Sequence, residues 1–255
     1  NYPGGYSINN LMEASLGVKP WSEKDVWVEA GLIGSPFTNE NPVSRDHIMY
    51  TRSLAAEYSP YYLAGVKITA ALSKRLKGSF YLLNGWQTIR QEEEFPPAIT
   101  GQLEFTLNKN NLFNWNVYYQ DRETHRRIFS DIYWIGTKDK WKFTSCFYAG
   151  NDESKVPSPY RPNSIFHRDG FWCNANFAAS YEIATNTNLS ARVEFYQDLH
   201  NNVHGKIYGA ALGVNRKLFN QLYWRTECKW WQSETYSTGR KDNIFNATTS
   251  LGLGF

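Results

Sequence analysis

The sequence predicts an all-β fold: a transmembrane, up-and-down, antiparallel β-barrel. Three observations predict it. Apolar and polar residues alternate with period two in segments of about ten residues, the length a tilted strand needs to cross a bilayer. Short and long connections alternate between those segments. Charged residues share one strand face and apolar residues the other, so a slip of one residue would put many charges in hydrocarbon.

The segments come in order. Residues 11–19 place Met12, Ala14, Leu16 and Val18 opposite Glu13 and Ser15. Residues 26–34 place Val26, Val28, Ala30 and Leu32 opposite Glu29. Residues 62–72 set Val66, Ile68 and Ala70 against Lys67 and Thr69, and residues 76–86 set Phe80 and Leu82 against Lys77 and Ser79. Leu103 and Phe105 then alternate with Gln102 and Glu104, and Trp115 and Val117 with Asn114 and Asn116. Ile128 and Ile132 oppose Arg127 and Asp131, and Phe143 and Phe147 oppose Lys142 and Thr144. Phe177 and Ala179 oppose Asn176 and Ser180, and Ala191 and Val193 oppose Arg192 and Glu194. Ala210 and Leu212 oppose a run of small residues, and Trp224 and Trp230 oppose Arg225, Glu227 and Lys229. The chain ends on Phe245, Ala247, Thr249, Leu251, Leu253 and Phe255, alternating with small and polar residues. Taken alone, that last segment reads equally as an edge strand of a soluble sandwich. The whole set, about thirteen segments, decides for a membrane barrel.

The connections support this. Short ones fall at residues 20–25, 73–75, 109–111, 137–140, 184–186 and 217–220. Longer ones fall between them, at 35–61, 87–97, 121–126, 151–169, 198–205 and 232–243. Tight turns at one end and larger loops at the other are what a membrane barrel gives. The facing of the strands follows from cost: an Arg or Lys in lipid at the midplane costs roughly 2–4 kcal/mol. The apolar set therefore faces outward and the charged set a wet interior, the reverse of a small soluble barrel. One barrel domain accounts for residues 1–255.

Bacterial outer-membrane barrels have even strand numbers and no free edge. With a periplasmic C-terminus, the alternation makes residues 11–19 run inward, so a strand should precede them. It lies in residues 1–10, or part of 35–61 is a strand, or the chain lacks N-terminal strands. The last is the expectation adopted, giving 14 to 16 strands.

Composition excludes other classes. No apolar run of about 18 residues exists, so no helix spans a membrane. A net charge of +3 is too small to imply nucleic acid. The aromatic share, 16%, suits girdles at two membrane interfaces. Cys146, Cys173 and Cys228 form no disulfide framework or metal motif. The five His, His47, His125, His167, His200 and His204, lie in or beside long loops. His200 and His204 are spaced like a helical metal pair, but Asn201, Asn202 and Gly205 favour a turn. No spacing selects a catalytic triad. Catalytic residues, metal and cofactors are all expected to be none. Residues 1–5 read as a loop and no signal peptide opens the chain, as in a mature or truncated form.

Three blocks resemble the OmpL-like β-barrel porin family (β-barrel porin-2) of Gram-negative outer membranes: VWVEAGLIGSPF at 26–37, YTRSLAAEYSPYYLAGVKIT at 50–69 and LLNGWQTI at 82–89. The likeness covers residues 11–150 and beyond them rests on pattern. A terminal Phe closing the last strand also resembles the C-terminal signature of bacterial outer-membrane barrels. The resemblance implies a porin-type barrel, with further strands before the first block, and carries over no catalytic residue.

Expected pore-lining residues are Glu29, Lys67, Lys77, Glu104, Arg127, Asp131, Lys142, Arg192, Glu194, Arg225, Glu227 and Lys229. The signs nearly balance, which fits a general pore with weak selectivity or a lumen closed by salt bridges. The stretch 51–62 is too long and apolar for a simple turn, and it either folds inward as a constriction or caps the barrel. Its Arg52, Glu57 and Tyr58 are the candidate constriction residues; a purely structural loop is the alternative. The acidic run 91–95 is a solvated loop tip or a cation-attracting vestibule.

The function expected is a passive outer-membrane porin for small hydrophilic solutes, with lipid around it, no nucleic-acid partner, a periplasmic C-terminus and extracellular long loops. The alternative is a structural or accessory barrel of a larger outer-membrane complex, or a homo-oligomer, with Pro157, Pro159 and Pro162 on the best docking loop.

Overall fold

The computed structural model describes residues 11–90, 96–123, 125–155, 170–199, 205–235 and 239–253. Thirteen strands follow one another: β1 Ala14–Val18, β2 Val26–Gly34, β3 Tyr62–Ala71, β4 Leu76–Leu83, β5 Ala98–Asn108, β6 Asn111–Asp121, β7 His125–Lys138, β8 Trp141–Ser154, β9 Gly170–Ala184, β10 Thr187–Asp198, β11 Lys206–Lys217, β12 Leu222–Glu234 and β13 Lys241–Leu253. They form one sheet in sequence order, each strand antiparallel to the next. Among the described residues the edge strands β1 and β13 are not paired with each other. The one described α-helix, α1 at Leu54–Glu57, interrupts the connection between β2 and β3.

The hairpins are tight at one end. Lys109 and Asn110 alone join β5 to β6, and Asp139 and Lys140 alone join β7 to β8. Asp139 and Asn186 take φ of 53° and 61°, which Asp and Asn tolerate better than other side chains. Gly31 and Gly65 face each other across β2 and β3 at φ of 132° and 156°. A Cβ on Gly31 would lie 2.4 Å from the Ala14 carbonyl oxygen, and one on Gly65 would lie 2.1 Å from that of Leu82. Only glycine fits either position. Just beyond Gly31 the period-two pattern lapses: Leu32 and Ile33 are both buried.

Several strands run further into the long-loop end than the alternation implies. β7 begins at His125 and β8 continues to Ser154, where charged residues read as loop. Arg126 pairs with Glu153 and Arg127 with Asp152 across the two strands, so the charges extend the ladder instead of ending it. β1 is shorter than the segment read for it and starts at Ala14. Residues 1–10, the acidic run 91–95, the Pro157–Pro162 loop, His167, His200 and His204 lie outside the described residues.

The two faces of the sheet are inverted relative to a soluble domain. Exposed large side chains include Ile68, Phe80, Trp115, Ile132, Phe147, Val193 and Leu212. Buried ones include Asn116, Asp131, Asn174, Arg192, Glu194 and Glu227. Towards the short turns, rings on the outer face stack from strand to strand: Phe113 on Trp134, Trp134 on Phe143, and Phe143 on Phe177. That is the girdle expected at a membrane interface. Of the three cysteines, all free, Cys146 is buried on the inner face, Cys173 is half-buried and Cys228 is exposed.

The outer face sets the first test. Val193, 58% exposed in the middle of β10, faces away from the interior. Val193→Arg is expected to lower folding stability in lipid vesicles by roughly 2–4 kcal/mol, read from a urea titration. An unchanged midpoint would place Val193 outside the hydrocarbon.

Candidate functional site

The site is built from the connection between β2 and β3. The Ser35 amide donates to the Tyr61 carbonyl at 3.3 Å and closes the base of a long excursion. Pro36, Pro42 and Pro60 keep the excursion from adding to the sheet. Ser53 caps α1, its side chain accepting from the Ala56 amide. Residues 35–61 then lie against the inner face of the sheet from β6 round to β12.

Wall side chains reach the backbone of this segment. The Asn116 amide donates to the Pro36 carbonyl at 2.9 Å, and Asp131 accepts from the Thr38 amide at 2.6 Å. The Asn39 side chain donates to Thr144 at 2.8 Å and Asn176 at 3.3 Å. Asn215 donates to the Ile48 carbonyl at 2.9 Å, and Arg225 donates to the carbonyls of Ser44 and His47. Glu227 accepts from the Thr51 amide at 2.8 Å and its hydroxyl at 2.7 Å, while Glu194 accepts from the Leu54 amide at 2.7 Å. Lys229 donates to the Thr51 hydroxyl at 3.1 Å.

Arg192 is the centre of this arrangement. Its side chain is 1% exposed and lies within ion-pair distance of Glu194 (3.4 Å), Glu227 (3.6 Å) and Glu40 (4.0 Å). It also donates to the Thr51 carbonyl at 2.7 Å and the Arg52 carbonyl at 3.2 Å. Glu40, itself part of the segment, folds back to accept from the Ser53 amide and hydroxyl at 2.7 and 2.9 Å. One guanidinium thus binds the wall and both arms of the segment together.

An apolar layer sits on the long-loop side of these charges. Phe37, Leu54 and Ala55 of the segment pack with Tyr81, Leu83, Tyr118, Phe129, Tyr148, Trp172 and Tyr196 of the wall. Phe37 stacks on Trp86 at 5.6 Å and meets Phe129 edge-on at 5.2 Å. Tyr58 stacks on Tyr196 with ring centroids 4.0 Å apart. This part of the interior is dry, against the expectation of a wet lumen throughout. The reason is the segment itself, which brings its own apolar side chains to cover inward-facing rings.

The expected lumen residues divide into four groups. Asp131, Arg192, Glu194, Arg225, Glu227 and Lys229 hold the segment, as described. Glu29 and Lys67 pair with each other at 2.8 Å, and Lys77 with Glu104 at 3.3 Å, on the wall formed by β2 to β5. Arg127 pairs with Asp152 at the long-loop end, its guanidinium 5.1 Å from the Trp86 ring and 5.6 Å from that of Trp172. Lys142 is exposed near the short turns. In the segment, Arg52 pairs with Glu57 at 3.3 Å and lies 4.1 Å over the Tyr61 ring, and the Tyr61 hydroxyl donates to Glu57 at 2.9 Å. Burial first, then the bond to Glu57, pushes the Tyr61 hydroxyl up to about 12. Sequence reasoning missed the first half of the segment, residues 36–50, and Glu40 with it. The available signal was Phe37 and Met49, apolar residues stranded in a proline-containing loop and now buried.

The inner face is polar, and a long segment is laid against it. Residues 4–255 match the family described as putative beta-barrel porin-2, OmpL-like. No curated protein matches the sequence. Solved outer-membrane structures share the fold at low identity, among them the following three. The outer membrane channel DcaP of Acinetobacter baumannii is 11% identical with a TM-score of 0.69, over 89% of this chain and 71% of that one. OmpT of Vibrio cholerae is 12% identical with a TM-score of 0.62, over 94% and 78% of the two chains. An anion-selective porin from Comamonas acidovorans is 10% identical with a TM-score of 0.57, over 90% and 73%.

Two tests follow from the docking. Arg192→Met strands Glu194 and Glu227 beside each other and is expected to cost about 3–5 kcal/mol of stability, as for a broken buried pair. The segment should then become a trypsin substrate at Arg45 and Arg52; cleavage no faster than in the parent protein would sink the assignment. His47 supplies a pH test. Its Nε2 lies 2.6 Å from the Asn41 carbonyl oxygen. Burial lowers its pKa, with Arg225 and Arg52 adding to the shift and Glu40 and the Asn41 carbonyl opposing it. The docked segment is therefore favoured with His47 neutral, and that preference fades as the pH falls below the free value of about 6.5. Current noise in single channels should rise between pH 7 and pH 5, and less so in His47→Gln.

Proposed function

Because the chain belongs to the OmpL-like β-barrel porin-2 family, we propose that residues 35–61 set the width of its channel for passive diffusion of small hydrophilic solutes. The protein is an outer-membrane β-barrel of porin type. The observation that carries the finer reading is the bonding of the segment's backbone by side chains of β6 to β12. A segment tied down in this way is a fixed constriction and not a free loop. On the other wall, Glu29, Lys67, Lys77 and Glu104 pair among themselves and leave the segment alone. The solute path runs along that wall, past Arg52, Glu57 and Tyr58. Charges of both signs line it, so selectivity at this level is weak. There is no chemical step.

The short turns face the periplasm and the long loops the exterior in this reading, following the usual asymmetry of such barrels. The facing edges of β1 and β13 must also be paired, since hydrocarbon offers no partner for backbone amides and carbonyls. An even strand number of 14 to 16 satisfies this.

Conductance of the full-length mature protein in a planar bilayer tests the reading. Steady single-channel steps are expected, and replacing residues 40–57 by a short Gly-Ser linker should enlarge them several-fold. A folded barrel that never conducts would instead favour an accessory role in an outer-membrane complex. Steps of unchanged size after the replacement would remove the constriction from residues 35–61.

A further inference from the structure

The geometry points to an anion-collecting vestibule at the short-turn mouth, which admits small carboxylate-bearing solutes in preference to cations; this rests on the channel reading. Where the tip of the inserted segment ends, a cavity of about 780 Å³ remains between residues 44–50 and the short turns. That volume lies within the roughly 300–1,000 Å³ range of small-molecule sites.

The cavity's charge is unbalanced. Six cationic residues border it against three acidic ones, Asp46, Asp139 and Glu182; Arg216, in register with outward-facing Trp224, borders it from the outer side of β11. Arg225 forms the inner end. It is buried, and its guanidinium donates to two backbone carbonyls and the Asn215 side chain, all neutral acceptors. Lys140 and Lys142 come from the turn between β7 and β8, and Arg216 and Lys217 from the end of β11. None of these four makes an ion pair among the described residues, whereas Arg45 has Asp46 at 3.6 Å.

Contrast this with the levels above. There Arg192 has three carboxylates around it and Lys67 and Lys77 have one each, while Lys229 is held by the Thr51 hydroxyl and the Trp231 ring. Fixed positive charge without a local partner is concentrated at one mouth. A charged cleft between low-dielectric walls focuses its field and raises the local concentration of counter-ions. Rings of Arg and Lys are how pores choose anions. Hydroxyl and amide groups of Ser180, Asn186, Asn188 and Ser250 line the same space and suit the polar body of a hydroxylated or dicarboxylic acid.

The test is the reversal potential of single channels under a KCl gradient, for the parent protein and for Lys140→Glu, Lys142→Glu, Lys217→Glu combined. The parent should prefer chloride, and the triple variant should lose or reverse that preference. Lys142→Gln alone should shift it part of the way, which covers a triple variant that does not fold. Near 1 M salt the preference should shrink, because the Debye length falls to about 3 Å. A cation-preferring parent, or a folded variant with an unmoved reversal potential, would overturn the proposal. If the parent never conducts, the channel reading fails, and binding decides the vestibule separately. Equilibrium dialysis of the detergent-folded protein should show retention of succinate over uncharged succinamide, lost in Lys142→Gln. Equal retention of the two would overturn the vestibule as well.

Discussion

A guanidinium sealed inside a membrane barrel has to be surrounded by acceptors, and Arg192 is where the rest of this interior is anchored. Isolated, a buried charge of this kind is too costly to keep. Here Glu194 and Glu227 come from the same wall, while Glu40 and the carbonyls of Thr51 and Arg52 come from the inserted segment. Neither the wall nor the segment completes the shell alone. Docking the segment is therefore what lets three charges of one wall stay out of water. Conversely, those charges supply the specific acceptors that the turns of a helix-poor segment need for their backbone amides.

The same requirement explains why so much of the contact runs from wall side chain to segment backbone. Residues 35–61 have little regular structure, so their amides and carbonyls are not satisfied internally. Asp131, Glu194 and Glu227 accept from three of those amides, and Asn116, Asn215, Arg192 and Arg225 donate to the carbonyls. Such bonds fix the path of the chain while leaving its outward side chains open to choice. Arg52 and Glu57 are bonded to each other and to Tyr61, while Tyr58 stacks on Tyr196 of the wall.

This pattern also decides what was legible in the sequence. Strand facing was, because lipid and lumen impose opposite costs at adjacent residues: Val193 and Arg192 are neighbours with opposite fates. The short turns were, because only about two to seven residues separate the alternating patterns of neighbouring strands at that end. The membership of Arg192, Glu194 and Glu227 in the interior followed from the same alternation. Their joint grip on Thr51 and Leu54 did not, since a backbone amide carries no sequence signature. The dry layer was illegible for another reason. Tyr81, Tyr118 and Phe129 obey the alternation as inward residues, but period two alone does not say whether an inward ring meets water or Phe37. The boundaries of β7 and β8 failed because Arg126, Arg127, Asp152 and Glu153 read as loop until their cross-strand pairing is known.

Separating the docking charges from the unpaired ones gives the lumen two independent controls. In the proposed channel, width is set where charge is balanced: the carboxylates around Arg192 are engaged in holding the segment. Ion preference is governed nearer the short turns, where Lys140, Lys142, Arg216 and Lys217 hold nothing in place through ion pairs. A pore arranged in this order lets its charge at the mouth vary without disturbing the constriction.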